Sequence, residues 1–506
     1  MEPKQRRVVF INFRARSDGD EFMCWLPMHE LFMAKALQEY GGARSIEIYT
    51  LYTHEDAKDY LDQWRGADIF VCWETYARSF RFVQHHFALA KTLKQTFNSP
   101  VLFGGYWPTV YGESYDEFQV FDTLICGYAI DEAAEIINQG PNERFIREAH
   151  GPSAYDKYEL DLSFLRTNLE KYVLFDVLQG YFSSFGCPKR CSFCINDLYQ
   201  NLGSQFCPRS ADQIKRDIDT LNSHIPFKAI NFKDSNFFYD LDRAEECLNY
   251  VKLIGKEINY NLDITVRDAV EEFFRRIGVL CSERHFFFGL ESFIPEERKI
   301  FGKPYSEEEL EAFFERAKRF RFNISGNLMF GFPFQSKESI LQEVCRAIVA
   351  MRAYPNLTIY TSAYIPKAGT GMQKNYFPDL HSRLTFEQLI SVYHSNAEHL
   401  QDVIYGDQFK GINFAMLNKG FTLLLAIKLL RQHLPLLAQP FLELINMITT
   451  RHVLKGATNP IVNAILRPLN ITKTRRVLTR AGIRYKKFLA SLSKENHILP
   501  CKEHHE

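Results

Sequence analysis

The sequence predicts an α/β protein: an N-terminal Rossmann-like doubly wound domain, a partial (β/α)6 barrel and a C-terminal helical region. Three observations predict it. Short apolar strands alternate with amphipathic helices from residue 7 to about 140, the pattern of a parallel sheet covered on both faces. A second run of six strand–helix units fills about 171–373. Beyond about 376 the strand pattern stops and helical periodicity remains. The expected domains are 1–140, a linker at 141–175, the barrel at 176–375 and a helical, basic region at 376–506.

Composition sets the frame. A chain of 506 residues is too long for one ordinary core. Lys+Arg and Asp+Glu both number 61, so net charge gives no argument for nucleic acid as a partner. Met1–Arg7 runs straight into a strand without the apolar core of a signal peptide. No stretch reaches the roughly 18 uncharged apolar residues of a membrane span. The richest, Phe421–Ile427, is broken by Lys428 and Arg431. The 11 cysteines are odd in number and irregular in spacing, which fits reduced thiols and a cytoplasmic location. The eight at 24, 72, 126, 207, 247, 281, 345 and 501 read mostly as small buried hydrophobes.

In the N-terminal domain, strands are expected at Val8–Phe13, Ser45–Leu51, Asp68–Trp73, Pro100–Phe103 and Phe121–Cys126. The helices between and after them are Leu26–Tyr40, Glu55–Arg65, Phe80–Phe97 and Asp131–Asn138. Gly104-Gly105-Tyr-Trp107-Pro-Thr109 is the sharpest element. Two glycines after a buried strand allow close approach to a flat ligand or a tight turn.

In the barrel the expected strands are Tyr181–Gly186, Lys228–Phe232, Tyr260–Val266, His285–Leu290, Asn323–Phe330 and Leu357–Tyr364. The helices are Ser210–Ser223, with a Ser cap, then Leu241–Glu257, Ala269–Ile277, Ser306–Phe320 and Lys337–Arg352. The first strand leads into Cys187-Pro-Lys-Arg-Cys191-Ser-Phe-Cys194. That spacing can put three thiolates on three corners of a cubic iron–sulfur cluster and leave the fourth iron without a protein ligand. An open iron can bind and reduce a cosubstrate. The alternatives are a disulfide plus a spare thiol, or zinc. Nothing else in the chain suggests an oxidising compartment, and no fourth Cys or His lies at zinc-site spacing.

The cysteine loop resembles the signature loop of the radical S-adenosylmethionine (SAM) superfamily. The other strand ends resemble, in order, those of the subclass with an N-terminal cobalamin-binding domain: Lys233-Asp234-Ser-Asn236, Arg267-Asp268, Gly289-Leu-Glu291-Ser292, Phe330-Gly331-Phe-Pro333 and Pro366-Lys-Ala-Gly369-Thr370. Cys207-Pro-Arg209-Ser210 resembles the segment that opens the first helix after the cluster. The Gly104-Gly105 segment and Phe121–Gly127 resemble the cobalamin domain. The likeness covers about 7–375.

The resemblance implies a 4Fe-4S cluster held by Cys187, Cys191 and Cys194, and SAM as cosubstrate, cleaved to a 5′-deoxyadenosyl radical. It places Phe193 beside the adenine, Glu291 on the ribose or amino group and Arg267 on the carboxylate. It implies cobalamin near Gly104 and Gly105, with Trp107 on its face. The function implied is a cobalamin-dependent C-methyltransferase. The alternatives are an oxidative cyclase or ring-rearranging enzyme, or a non-catalytic iron–sulfur redox protein. A methylthiolating enzyme acting on tRNA lacks support, since the extra cysteines it would need are absent. An external one-electron reductant of flavodoxin or ferredoxin type is implied.

The chain departs from the family pattern in four places. Arg14–Asp20 contains no histidine for cobalt, and His29 reads as a helix-surface or satisfied residue rather than a substitute. Phe185 stands where relatives often have Arg. Gln335 stands where they often have Glu, and Gly127–Asp131 replaces a Gly-Glu-Gly-Glu-like turn. In the C-terminal region, Leu384–Leu400 and Phe421–Leu434 read as helices. Arg451–Lys487 is basic without an acid, which suits either a solvated cap or peripheral contact with an anionic membrane surface, and a small-molecule or lipid-like substrate.

Overall fold

Val8 to Phe13 carry apolar side chains on both faces, which a strand tolerates between two helical layers. In the computed structural model they form β1 (Arg6–Phe13), buried from Val8 onward, in a six-stranded parallel sheet. Its other strands are β2 (Ala43–Leu51), β3 (Ile69–Glu74), β4 (Val101–Gly105), β5 (Thr123–Cys126) and β6 (Phe145–Arg147), in the order β2-β1-β3-β4-β5-β6. The helices α1 (Met28–Glu39), α2 (Phe80–Thr96), α3 (Tyr106–Tyr111) and α4 (Ile130–Gln139) connect them. The structure describes residues 6–13, 25–41, 43–74, 80–147, 154–174, 176–201, 206–258, 263–280, 284–379 and 384–389.

Strand order reverses between β1 and β3, which pair with Asn12 opposite Trp73. The carboxyl ends of those strands form the crevice where doubly wound sheets take ligands. Two expectations change here. Phe145–Arg147, read as linker, pairs with β5 and extends the sheet beyond residue 140. Glu55–Arg65 is not an α-helix. Thr53 and Asp56 close a capping box that starts a short 3-10 segment, His54–Asp59, followed by turns.

One face of this sheet carries an aromatic core. Phe87 contacts Phe103, Phe118 and Phe121, with ring centroids 5.1–6.2 Å apart. Phe386 enters the same core from the C-terminal region, 5.1 Å from Phe87 and 5.6 Å from Phe118. Part of the segment read as a separate helical region therefore completes the N-terminal core.

After α5 (Ala154–Lys157), the barrel begins with β7 (Val173–Leu174) and β8 (Val177–Tyr181), which pair antiparallel. Then come β9 (Ser184–Phe185), α6 (Ile195–Asn201), β10 (Cys207–Pro208), α7 (Ala211–His224), β11 (Ala229–Phe232), α8 (Leu241–Leu253) and β12 (Glu257–Ile258). β11 lies between β8 and β12, parallel to both. β13 (Asp263–Ile264) pairs in parallel with β14 (His285–Glu291), and α9 (Glu271–Gly278) stands between them in sequence. The chain continues through α10 (Pro295–Ile300), α11 (Glu307–Arg319), β15 (Asn323–Phe330), α12 (Lys337–Ala353), β16 (Leu357–Ala363) and α13 (Gly371–Tyr376).

Helix starts follow from side-chain caps. Ser210 accepts from Gln213 N at 3.3 Å, and Asp240 accepts from Arg243 N at 3.0 Å. Ser306 and Glu309 form a full capping box on α11. Phe274, Phe288 and Phe313 pack the helices onto the sheet.

The described residues divide into two compact units. The first is Met1–Gly326 with Tyr354–Leu357 and Ile365–Ile404, so it contains the six-stranded sheet and the cysteine loop together. The second includes Asn327–Ala353 and Thr358–Tyr364. Within the second, Tyr364 N donates to Phe330 O at 2.7 Å and Phe332 stacks on Tyr364 at 4.4 Å. Gln335 accepts from Gly331 N at 2.9 Å and Phe332 N at 3.1 Å. Those bonds need a carbonyl oxygen and no charge, so Gln does there what Glu would. No helix among the described residues is long and apolar enough to cross a membrane. Arg14–Asp20, the expected helix Phe421–Leu434 and the basic stretch 451–487 lie outside the described residues, as do Cys24, Cys281 and Cys501.

Candidate cofactor site

The cysteine loop is seated on every side by residues that bond its backbone. Cys194 N donates to Cys191 O at 2.8 Å and Asp197 N to Cys194 O at 3.1 Å, so the loop winds directly into α6. Ser192 N donates to Phe301 O at 3.2 Å, and Ser192 Oγ to Ile300 O at 2.8 Å. Met372 N donates to Ser192 O at 2.7 Å. Gln200 reaches back to the carbonyls of Cys187 and Lys189. Asp234, buried, accepts from Ser183 N at 3.1 Å and Ser183 Oγ at 2.7 Å, fixing the strand that enters the loop.

Cys187, Cys191 and Cys194 are free thiols of intermediate exposure. Burial first, with a smaller contribution from the neighbouring cysteines, pushes Cys187 up to about 12 and Cys191 up to about 11. Thiols that burial disfavours as anions are stabilised as thiolates by cationic iron, which suits this loop to a metal cluster. Among the described residues no three His, Cys, Asp or Glu side chains gather around one point as ligands of a single ion would. Cluster thiolates bind separate irons, so a cluster does not require them to.

Phe193 packs edge-on against Phe301, with centroids 5.6 Å apart. Glu291 is buried in a left-handed conformation, φ 58°. Its Oε1 accepts from Lys303 Nζ at 2.7 Å, and that ammonium also donates to Gly289 O at 2.9 Å. A Cβ on Gly289 would collide with the ammonium, which accounts for the glycine there. Lys303 lies 5.9 Å over the Phe193 ring. Burial works against its charge, but Glu291 and Cys191 outweigh burial and hold it above the usual lysine range.

Arg267 is differently placed from the expectation. Its guanidinium pairs with Glu309 at 3.3 Å and with Pro304 O, in a half-exposed position, and among the described residues no hydrogen bond or ion pair joins it to the cysteine loop. Its neighbour Asp268 takes that position, binding Lys189 of the loop at 3.1 Å and Asn236 Nδ2 at 3.4 Å. The capping carboxylate of α11 competes for Arg267, which a strand-end motif does not reveal. Sequence reasoning missed Lys303, Lys189 and Asp268. Gly302-Lys303-Pro304, a turn placed one short helix after the fourth strand end, was the available signal.

In the N-terminal domain, Gly104 and Gly105 meet protein rather than open space. A Cβ on Gly104 would enter the Trp73 ring, and one on Gly105 would strike Glu74 O. Gly105 has φ 105° as it caps α3. Trp107, expected on a ligand's face, is fully buried instead. It lies one helical turn from Tyr111, 5.2 Å away, and 6.1 Å from Phe386, so the core claims its indole. His29 is buried rather than at the surface, and only half satisfied: its Nδ1 lies 2.7 Å from Tyr155 Oη and its ring stacks on Trp73 at 4.0 Å, while Nε2 has no hydrogen-bond partner among the described residues. Phe185 joins this nest, stacked on Tyr155 at 4.1 Å. At the crevice, Asn12, next to last in β1, is fully buried, and neither amide atom has a partner among the described residues. Glu74 and His86 lie nearby at the end of β3 and on α2, 3.5 Å apart.

Residues 181–344, which hold the cysteine loop and four of its flanking strand ends, match the family model of the Radical SAM superfamily. A curated protein of Pyrococcus horikoshii, described as an uncharacterized methyltransferase, is 25% identical over 161 residues, covering 31% of this chain and 34% of its own length. The chain thus spans about a third of the curated relative it matches. Among solved structures, the radical SAM methyltransferase TsrM of Kitasatospora setae, with cobalamin and a 4Fe-4S cluster bound, aligns with TM-score 0.56 at 16% identity, covering 75% of this chain and 76% of that one. OxsB, a cobalamin-dependent SAM radical enzyme solved with aqua-cobalamin and SAM, aligns with TM-score 0.57 at 11% identity, covering 97% and 80%. These two likenesses show the fold.

The barrel and its three-cysteine loop define a radical SAM domain. Residues 181–344 carry the match to the radical SAM superfamily, and the fold of the chain is similar to that of solved cobalamin-dependent radical SAM enzymes.

Proposed function

We propose that this protein is a cobalamin-dependent radical SAM C-methyltransferase acting on an unactivated carbon of a small molecule. The observation that carries this reading is the presence, in one compact unit, of the three-cysteine loop and a doubly wound sheet whose crevice holds an orphaned amide, Asn12.

Cys187, Cys191 and Cys194 hold the cluster, which when bound supplies one electron to the sulfonium of SAM. Phe193 flanks the adenine, and the Glu291–Lys303 pair lines the same edge of the loop. Arg267 can serve the SAM carboxylate only after leaving Glu309. Cobalamin, when bound, supplies the methyl group. Asn12 fits a ligand fringed with amides, because both its donor and its acceptor are unmet. The glycine pair supports the crevice by packing against β3 and Trp73, not by touching the ligand. No histidine stands in 14–20, so cobalt takes no imidazole from that loop. The electron comes from an external flavodoxin- or ferredoxin-type reductant in the cytoplasm. The basic 451–487 stretch gives the chain a route to anionic surfaces or a lipid-like substrate.

The test is anaerobic purification with cobalamin present, reconstitution with iron and sulfide, and metal analysis, followed by turnover with methyl-labelled SAM. About four irons and one cobalt per chain, with label transferred to product, are expected. Iron without cobalt sinks the methyl-transfer mechanism. Label absent from the product redirects the reading to a cyclase or ring-rearranging enzyme. Absence of SAM cleavage under strong reductant leaves a redox protein.

A further inference from the structure

We propose that Lys303 is the fixed positive charge of the iron–sulfur site, oriented by Glu291 and Gly289, and that it raises the reduction potential of the cluster. The inference rests on the cysteine loop holding a cluster.

Lys303 has four observations behind it. Its ammonium is bound at two defined points, Glu291 Oε1 at 2.7 Å and Gly289 O at 2.9 Å, and glycine at 289 is required for it to lie there. The turn that carries it is welded to the cysteine loop: Phe301 and Ile300 accept from Ser192, and a Cβ on Gly302 would come within 2.7 Å of Arg190 O. Its side chain is 18% exposed, so water screens it weakly. Its ammonium lies 5.9 Å over the ring of Phe193, the residue between Ser192 and Cys194 in the loop.

Reduction adds one negative charge to the cluster. A nearby fixed cation favours the reduced form, and its removal favours the oxidised one. SAM cleavage begins with that reduction, so a cation held here makes a hard electron transfer easier. Lys303 does this without touching the reacting atoms, which makes it a positioning and tuning residue.

The experiment is a redox titration of the reconstituted full chain, with the reduced cluster read by electron paramagnetic resonance and iron content matched between variants. K303M and K303Q are expected to shift the midpoint to more negative potential. K303R is expected to stay near wild type, and K299M, which removes a lysine on the preceding helix, to shift nothing. Unchanged or more positive midpoints in both neutral variants would overturn the proposal. Loss of iron from both neutral variants, with iron retained in K303R, would also overturn it in favour of a structural role. Wild-type protein that holds no iron fails the cluster reading itself.

Discussion

The six-membered ring of Trp73 occupies the space that a side chain on Gly104 would need. The two residues face each other across the β3–β4 pair, and Trp73 cannot yield easily because His29 is stacked on it at 4.0 Å. Gly104→Ala should therefore behave as overpacking, costing roughly 1–3 kcal/mol. Chemical denaturation measures it. Adding Trp73→Leu should recover part of the loss, and a double variant no better than the sum of the singles would show that the two sites do not share space.

His29 makes stability depend on acid. Burial lowers its pKa to about 3, against an ordinary value near 6.5 in the unfolded chain. Above about pH 6.5 both states are neutral and His29 contributes no pH dependence. As pH falls through that value, the unfolded chain takes up a proton that the folded chain refuses, so stability drops by about 1.4 kcal/mol per unit. Thermal midpoints from about pH 8 to about pH 5 should fall in the wild type and fall less steeply in His29→Phe. Equal slopes would mean that other groups set the acid limb.

The parallel sheets were legible because their strands are continuous apolar runs punctuated by glycine, and the cysteine loop because its spacing is local. Trp107 was misjudged because a motif places a residue on a helix without saying which face the core will claim. β6 was hidden in a three-residue strand whose only warrant is its partner β5. Lys303 lies 12 residues beyond its partner Glu291, and only the fold brings its ammonium beside Phe193. Close packing between elements, unlike periodicity within them, leaves little trace in one sequence.

Arg209 and Asp217 form a fully buried fork, with Nε–Oδ2 at 2.8 Å and Nη2–Oδ1 at 2.9 Å. The same guanidinium holds the carbonyls of Tyr155 and Tyr158, and Tyr181 Oη donates to Asp217 at 2.8 Å. One arginine thus ties residues 155–158 to α7 and β8. Arg209→Met leaves two carbonyls unmet and a buried carboxylate with Tyr181 alone and no countercharge in the fork, and should cost about 3–5 kcal/mol. Arg209→Lys should rescue little, because an ammonium cannot span the fork. Denaturant midpoints decide it; a Lys variant equal to wild type would show that charge alone suffices.

Gly302 and Gly255 separate backbone strain from seating of the cluster loop. Both are left-handed, at φ 75° and 70°, so alanine at either costs about 1–2 kcal/mol of backbone energy. Around Gly255 a Cβ meets nothing within 4 Å, whereas at Gly302 it comes within 2.7 Å of Arg190 O and 3.6 Å of Cys191 Cα. The carbonyl belongs to the cysteine loop itself, so relief at Gly302 must come by moving that loop off Phe301 and Ile300. The two variants should lose similar stability, while only Gly302→Ala loses iron on reconstitution and the visible absorbance that goes with it. Equal iron in the two would mean that the loop is positioned by α6 and Met372 alone, and that the 300–303 turn merely lies beside it.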